Sequence, residues 1–380
     1  MTQPSEPRLE SIPLSSPAIG DDEAAAVERV LRSGRLSMGN ELLQFENELG
    51  LYLGGTKAVG VTNGTAGLHL CIGDQKIGPG DEVITTPFSF VASSNCILFE
   101  KAKPVFVDIE PDSLNIDPGL ISSAITPNTR AILVVHVFGK PANMDRIMAI
   151  AKTHSLSVIE DACEGIGAEF NGRRLGTIGD AGVFSFYPNK QMTLGEGGAI
   201  VTNDSGRAEN FRSLRNQGRD NSSEWLEHAQ LGYNYRLDEI RAALGLVQLR
   251  RLDQILGQRE QIAKWYSERL QETEGVTVPI DPIGTTRASW FVYVVRLEPA
   301  SLRDLVMAEL QTRGIQSRVY FPPIHLQPFY REQFGYGRGD FPITEAAGDS
   351  CLALPFSSLM SEEQVDRVCR ELQLVVQQAS

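Results

Sequence analysis

The chain has 380 residues, of which 42% are hydrophobic and 22% charged, and its formal net charge at pH 7 is −13. This balance is typical of a globular protein, and the length favours two domains of unequal size. The acidity argues against nucleic acid or an anionic membrane as a partner, because either would need a basic face.

The start of the chain and the cysteines exclude several further classes of protein. Residues 1–23 contain no apolar core of the kind that a signal peptide needs, and no apolar stretch approaches the roughly 18 residues of a membrane span. The five cysteines are scattered without a C-x-x-C pair, which indicates neither a disulfide framework nor a zinc site. We therefore expect a cytoplasmic protein without a metal.

From about residue 20 to 255, short apolar runs alternate with helix-length segments. The predicted strands are 58–62, 82–86, 104–109, 131–138, 156–161, 181–186 and 199–202, and predicted helices between them include 65–74, 89–100 and 143–154. The runs are apolar without alternation, so we expect a mostly parallel sheet that is buried on both faces. A short glycine-rich turn joins the last two strands, which also permits an antiparallel hairpin.

The C-terminal third predicts a smaller α+β domain. Residues 236–271 have an apolar spacing near 3.6 and no proline, which predicts one or two long helices that lead out of the first domain. After them come a predicted strand at 290–298 and amphipathic helices at 301–314 and 361–378. The predicted division is a large domain over residues 1–255 and a small domain over residues 256–380.

Ligands of an open parallel sheet bind at the carboxyl ends of its strands, and polar groups follow three of the predicted strands there. The segment 63–67 (NGTAG) opens a helix whose free N–H groups suit a phosphate, or it is an ordinary helix cap. Asp161 ends a buried strand, where a carboxylate needs a positive partner unless it caps a helix. Ser185 ends another strand, and its hydroxyl could also donate to a phosphate.

A fourth feature is Lys190, which lies between an apolar strand and a run of glycines. Pro188 and Asn189 break the strand, so the chain turns and the amine would project over the end of the sheet. A partly desolvated amine is nucleophilic and forms imines with aldehydes, whereas an ordinary loop lysine is solvated. Together the four features suit pyridoxal 5′-phosphate (PLP), which carries an aldehyde, a ring nitrogen and a phosphate.

The motifs resemble those of one known family. The segment 160–204, which begins EDACEGIG and contains YPNK and GEGG, closely resembles the centre of the DegT/DnrJ/EryC1/StrS sugar aminotransferases. The similarity continues in order through TNGTAGLHL (62–70), TTPFSFVASSN (85–95), QLGYNYRLDEIRAALGLVQL (230–249) and RVYFPPIHLQPFY (318–330). It implies an α/β fold, that of the fold type I PLP-dependent transferases. In this fold, helices flank the mostly parallel sheet of a large domain, and a smaller α+β domain follows.

The resemblance assigns roles around the cofactor. It implies Lys190 as the Schiff-base lysine and Asp161 as the partner of the pyridinium nitrogen. It implies phosphate contacts for Gly64, Thr65, Ala66 and Ser185, and it places Phe88 against the face of the ring. Glu164 falls where many members have glutamine, near the phenolic oxygen of the cofactor. A carboxylate there repels an oxygen anion unless one of the two is protonated.

The resemblance also implies a homodimer with active sites at the interface. Asn234 and Arg236 would reach into the neighbouring subunit's site, where Asn234 contacts the PLP phosphate and Arg236 the substrate. His325 and Tyr320 match positions on the substrate side. Composition alone allows a helix-start ion pair for Arg236 and an ordinary loop histidine for His325.

The implied reaction transfers the amino group of L-glutamate to a nucleotide-linked keto sugar, for which a 4-keto-6-deoxy hexose is favoured. Such a product would serve the biosynthesis of amino sugars, polysaccharides or glycosides. One alternative is a PLP-dependent sugar dehydratase of the same fold, in which histidine replaces the lysine; another is a non-catalytic PLP-binding regulator. A dinucleotide-dependent oxidoreductase would need G-x-G-x-x-G after the first strand, which NGTAG does not supply. The sugar, the nucleotide and the choice between C3 and C4 are left open.

Overall fold

The structure is a computed structural model that describes residues 11–219 and 227–379. The first ten residues, part of the predicted N-terminal segment, lie outside it. Its strands are β1 (Lys57–Val61), β2 (Glu82–Thr85), β3 (Lys103–Phe106), β4 (Thr129–Val135), β5 (Ser157–Asp161), β6 (Glu169–Phe170), β7 (Arg173–Arg174), β8 (Ala181–Ser185), β9 (Gly198–Thr202), β10 (Val276–Thr277), β11 (Thr285–Arg287), β12 (Tyr293–Leu297) and β13 (Cys351–Leu354).

The helices connect these strands and flank the two ends of the chain. They are α1 (Asp21–Ser33), α2 (Asn40–Tyr52), α3 (Gly64–Asp74), α4 (Ala92–Phe99), α5 (Pro118–Ala124), α6 (Met144–His154), α7 (Ser205–Arg215), α8 (Glu239–Arg250), α9 (Leu252–Leu270), α10 (Leu302–Thr312), α11 (Pro328–Phe334), α12 (Pro342–Ser350) and α13 (Glu362–Ala379). Single-turn 3-10 helices span Val137–Gly139 and Ile324–Leu326. No helix within the described ranges is both long enough and apolar enough to cross a membrane.

A seven-stranded sheet forms the centre of the molecule, in the order β1-β9-β8-β5-β4-β2-β3. The strands β8, β5, β4, β2 and β3 pair in parallel, whereas β9 runs antiparallel to both of its neighbours. The predicted mostly parallel sheet and the predicted β8–β9 hairpin are therefore confirmed. The strand register aligns Val135 with Asp161 and Asp161 with Val183, so three strands present their carboxyl ends side by side.

Helices cover both faces of this sheet, as the unbroken apolar strands require. On one face α3 and α4 pack against the sheet through Leu68, Cys71 and Ile97; on the other, α6 packs through Met144 and Ile147. Asparagine or aspartate side chains cap the first turns of α3, α5, α6, α7 and α8. These caps fix where each helix starts after its loop.

The C-terminal part has an antiparallel sheet of its own, β10-β12-β13, packed against α9, α10 and α13. Ile12 belongs to the same apolar cluster and its N–H donates to the carbonyl of Gly314 at 2.8 Å. The predicted helical region 236–271 is two helices, α8 and α9, which meet at Arg251. The predicted domain boundary at residue 255 falls inside α9 and stays a prediction.

Candidate active site

A cavity of about 560 Å³ opens at the carboxyl ends of β5 and β8, next to the start of α3. The sequence predictions that line this cavity are Gly64, Thr65, Asp161, Glu164, Ser185, Lys190 and Tyr320. The outermost of these residues, Gly64 and Tyr320, lie 256 positions apart in the chain. The fold therefore brings together most of the residues that were predicted to form one site.

Lys190 points into the cavity. Its side chain is 12% exposed, and Nζ lies 3.5 Å from Oε1 of Glu164 and 3.8 Å from the centre of the Phe291 ring. The backbone N–H of Lys190 donates to the carbonyl of Tyr187 at 2.9 Å, which closes the turn that follows Pro188. This turn, rather than the strand itself, directs the amine over the end of the sheet.

Asp161 is held in a fixed orientation at the end of β5. Its Oδ2 accepts a hydrogen bond from Ser93 Oγ at 2.7 Å, and its Oδ1 accepts one from the Cys163 N–H at 3.2 Å. The Ser93 hydroxyl is in turn 2.7 Å from Ser89 Oγ. These donors are neutral, so the carboxylate keeps its negative charge available to a cationic nitrogen in the cavity.

Glu164 is a second carboxyl group in the cavity wall. Its Oε2 accepts a hydrogen bond from the N–H of Phe138 at 2.8 Å, while Oε1 faces Lys190. Burial raises the pKa of Glu164, and the amine of Lys190 opposes that shift only in part. This carboxyl group therefore holds its proton more firmly than a solvated glutamate does.

The first turn of α3 forms a concave site for an anion. The Asn63 side chain accepts a hydrogen bond from the Ala66 N–H at 2.8 Å, so the N–H groups of Gly64 and Thr65 remain at a helix end that offers them no acceptor. A Cβ atom added to Gly64 would lie 3.0 Å from Cβ of Ser185. The same Cβ atom would lie 2.9 Å from Sγ of Cys163, so a larger residue would crowd both neighbours, and glycine lets the helix start lie close to the Ser185 hydroxyl.

The predicted contact of Ala66 with the phosphate stays a prediction. Ala66 is buried outside the cavity lining, and its N–H is already engaged in the cap on Asn63. The anion site therefore depends on its neighbours Gly64 and Thr65.

The structure places Phe88, which was predicted to stack on the cofactor ring, in the core and outside the cavity lining. Phe88 has no exposed surface and packs edge-on against Phe138 and Phe321 in the core. Phe90, two positions later, lines the cavity and is 61% exposed. The aromatic face on this side of the cavity therefore belongs to Phe90.

His325 also lies in the core. Its ring is fully buried, contacts Phe341 and lies 3.1 Å from Glu345 through Nε2, and burial lowers the pKa of the imidazole. It does not line the cavity of its own subunit, and its predicted contact with the substrate stays a prediction.

Asn234 and Arg236 lie on the surface, outside the cavity of their own subunit. Asn234 is exposed, and Arg236 is half-buried with Nη1 3.0 Å from the Asn216 side-chain oxygen. Within one chain the structure does not bring them to the cavity.

Several cavity residues were missed by the sequence predictions. They are Phe90, Ser93, Asn189, Glu196 and Phe291. Ser89 and Ser93 are four residues apart in a predicted helix, which places their side chains on one face. This spacing could have predicted a hydrogen-bonded pair near the carboxylate of Asp161. Phe291 left no such signal, because it arrives from the C-terminal part of the chain through tertiary packing.

The residues in the cavity wall fit PLP. An amine faces the cavity for the aldehyde, a fixed carboxylate for the ring nitrogen and a helix N-terminus with a hydroxyl for the phosphate. Asn189 adds a buried Oδ1 that has no hydrogen-bond partner among the described residues. A ligand with a hydroxyl or a protonated nitrogen would satisfy that oxygen.

Comparison with known proteins agrees with this geometry. A sequence profile described as the DegT/DnrJ/EryC1/StrS aminotransferase family matches residues 17–373. GDP-perosamine synthase of Caulobacter vibrioides is 40% identical over 344 residues, which cover 90% of this chain and 91% of that protein.

Solved structures show the same likeness. DesV of S. venezuelae superposes with a TM-score of 0.90 at 36% identity and covers 97% of this chain and 99% of its own. The PLP form of the sugar aminotransferase Spr1654 of Streptococcus pneumoniae gives a TM-score of 0.92 at 28% identity, with 97% of this chain and 100% of that chain covered. The resemblance read from the motifs and the predicted fold class are confirmed.

Proposed function

The chain belongs to the DegT/DnrJ/EryC1/StrS family of PLP-dependent sugar aminotransferases, and from this premise we propose that it moves an amino group from L-glutamate to a nucleotide-linked keto sugar. A relative named for a GDP-linked sugar supports a nucleotide-linked substrate. Among such sugars we favour a 4-keto-6-deoxy hexose. The product would feed the synthesis of amino-sugar-containing polysaccharides or glycosides.

The observation that carries this proposal is the convergence of three groups on one cavity. The amine of Lys190, the fixed carboxylate of Asp161 and the N-terminus of α3 all border the same space. Each would bind one of the three groups that PLP carries, which are the aldehyde, the ring nitrogen and the phosphate.

The proposed roles follow from the position of each group. When bound, PLP draws electrons away from the carbon that carries the amino group, provided that its ring nitrogen is protonated. Asp161 would hold that proton on the ring nitrogen, since its carboxylate is fixed by Ser93 and the Cys163 N–H. The amine of Lys190 would take the proton from the α-carbon of glutamate and deliver it to the C4′ carbon of the cofactor.

The remaining cavity residues would bind and shield. Gly64, Thr65 and Ser185 would hold the cofactor phosphate through N–H and hydroxyl donors. Phe90 would pack on the ring, and Phe291, which already contacts the Lys190 amine, would keep water away from it. Tyr320 borders the same cavity beside Asn189 and Phe291, and it would contact the sugar.

We propose further that the protein acts in the cytoplasm as a homodimer with shared active sites and binds neither nucleic acid nor membrane. Asn234 and Arg236 would enter the partner's cavity, which explains why these polar residues lie at the surface of a single chain.

The test is a turnover assay with PLP, L-glutamate and a panel of nucleotide-linked keto sugars, followed by mass detection of the amino product. We expect at least one sugar to gain an amino group, and Lys190→Ala to lose both this product and the visible absorbance of the bound cofactor. Normal turnover by Lys190→Ala would overturn the assignment. A deoxygenated product without nitrogen would point to the dehydratase alternative, and no product at all would point to the regulator.

A further inference from the structure

A polar cluster lies next to α3, about one helical turn after Gly64 and Thr65, and outside the cavity. It consists of His69 on α3, Glu100 after α4, and Tyr233 and Tyr235 on the segment that follows the undescribed residues 220–226. His69 is buried, and Glu100 has 23% of its side chain exposed. None of the four belongs to the cavity lining.

The donors and acceptors of the cluster match one another. The Tyr235 hydroxyl lies 3.1 Å from His69 Nδ1, His69 Nε2 lies 2.8 Å from Glu100 Oε1, and the Tyr233 hydroxyl donates to the same oxygen at 3.3 Å. Burial lowers the pKa of His69 and raises the pKa values of Tyr233 and Tyr235. A neutral imidazole thus accepts from one phenol and donates to Glu100, and a single arrangement of protons satisfies every group.

The rings make the cluster rigid as well as polar. Tyr233 and Tyr235 stack with their ring centres 5.0 Å apart and their planes 9° apart. His69 packs against both of them and against Phe99. Stacked aromatic rings of this kind add stabilisation beyond the area that they bury.

The backbone around the two tyrosines is held on both sides. The Tyr235 N–H donates to the Arg215 carbonyl at 2.9 Å, and its carbonyl accepts from the Thr62 N–H at 2.8 Å. The Tyr233 carbonyl accepts from the Gln217 N–H at 2.8 Å. Residues 233–236 are thereby fixed as an extended segment between the ends of α7 and β1.

Extended backbone turns successive side chains to opposite sides. Tyr233 and Tyr235 therefore face the core, where they pack against the main apolar cluster, while Asn234 between them is exposed. Arg236 follows on the side of Asn234. The cluster fixes the side chains of Tyr233 and Tyr235, and it thereby sets the direction in which Asn234 and Arg236 point.

We propose that His69 and Glu100 are positioning residues for the active site of the partner subunit, which they serve by locking Tyr233 and Tyr235 so that Asn234 and Arg236 project correctly across the dimer interface. This inference rests on the proposed function and its shared sites. It gives α3 two roles, since its first turn binds phosphate in its own subunit while His69, one helical turn later, acts on the other.

The first test uses Tyr235→Phe and His69→Phe, which keep an aromatic ring and remove hydrogen bonds. We expect KM for the nucleotide-linked sugar to rise about fivefold in Tyr235→Phe, as for the loss of one hydrogen bond, and at least as much in His69→Phe, which loses two, with kcat at saturating substrate and PLP nearly unchanged. Tyr52→Phe is the matched control, because it removes a tyrosine hydroxyl bond to Asp253 far from the segment, and its KM should stay at the wild-type value. Unchanged KM in both cluster variants would overturn the inference.

The second test separates action on the partner from action within the same subunit. A hybrid dimer is purified that pairs one His69→Phe subunit with one Lys190→Ala subunit, each with its own affinity tag. In this hybrid Lys190 is present only in the His69→Phe subunit. The active site of that subunit receives Asn234 and Arg236 from the Lys190→Ala subunit, whose cluster is intact. The KM for the sugar should therefore return to the wild-type value. A KM that stays as high as in the His69→Phe homodimer would show that His69 acts in its own subunit and would overturn the inference.

The failure of the inference and that of the proposed function are distinguishable. If wild-type protein aminates no sugar, the proposed function fails. If wild type is active and the hybrid keeps the raised KM, only the positioning role fails. Tyr235→Phe guards against misfolding, because it removes a single hydroxyl and leaves His69 bonded to Glu100.

Discussion

Glu164 is a residue whose chemistry departs from that of its surface counterparts. Its carboxyl group is buried in the cavity wall and faces Lys190, yet burial raises its pKa above the ordinary value of 4.5. In the unfolded chain the same group ionises at its ordinary pKa. Between the two pKa values the folded state holds the proton that the unfolded state has lost, so stability falls as pH rises through this window.

Glu164→Gln removes this titration and keeps the size of the side chain. We expect the variant to gain stability relative to wild type as pH rises above the ordinary pKa of 4.5, until the folded state also loses its proton, and the difference to be constant well below 4.5, where both states are protonated. Urea unfolding at several pH values measures it. Glu48→Gln is the control of opposite sign, because Arg250 lowers the pKa of Glu48 and that stabilisation is lost as pH falls. A difference in the free energy of unfolding between Glu164→Gln and wild type that does not change with pH would contradict this account.

Single residues also show where sequence information stops. The end of a predicted strand was enough to select Asp161, and the break at Pro188 and Asn189 was enough to select Lys190, because both features place a side chain at the carboxyl edge of the sheet. The segment from Thr86 to Val91 is irregular, so nothing in the sequence decided whether Phe88 or Phe90 faces the cavity. His325 is buried by Phe341 and Glu345, which are 16 and 20 residues away, and no local pattern records such packing.

At the scale of elements, α3 links stability to binding. Its cap on Asn63 organises the turn in which Gly64 and Thr65 keep free N–H groups. The helix itself and the strands of the large sheet could be predicted, because their apolar periods are long and their caps are explicit. The short sheet β11-β6-β7 could not be, since its strands have only two or three residues and β11 pairs with β6 across more than a hundred positions.

Asn63→Ala and Asn143→Ala test this link as a pair. Each removes a side chain that caps a helix of 11 residues, α3 in one case and α6 in the other, and each should lower the free energy of unfolding by about 1 kcal/mol. Only Asn63→Ala should also weaken PLP binding, by roughly fivefold, because only α3 starts at the cavity. Urea unfolding and absorbance titration with PLP measure the two effects. Equal PLP affinity in both variants would show that the α3 turn does not bind the cofactor.

At the scale of the whole molecule, charge indicates that one subunit is incomplete. Among the described residues that line the cavity, Asp161, Glu164 and Glu196 are acidic and Lys190 is basic. The chain as a whole carries −13. L-Glutamate and a nucleotide-linked sugar are both anions, so a single subunit repels the substrates that we propose for it. Positive charge from a second subunit would offset this repulsion, and the sequence indicates such a subunit only through the resemblance to the family.

Arg236 of the partner is the proposed source of that charge. We expect Arg236→Ala to raise KM for the sugar at least tenfold, as for the loss of a charged hydrogen bond, and a hybrid of Arg236→Ala with Lys190→Ala to regain the wild-type KM at about half the wild-type activity per dimer. The control is Arg130→Ala, which removes an arginine beside Asp81 at the amino end of β4 and should change neither value. Steady-state kinetics on tagged, purified hybrids measures both. If the hybrid keeps the raised KM, Arg236 serves its own subunit, and the charge needed by the cavity must come from another residue.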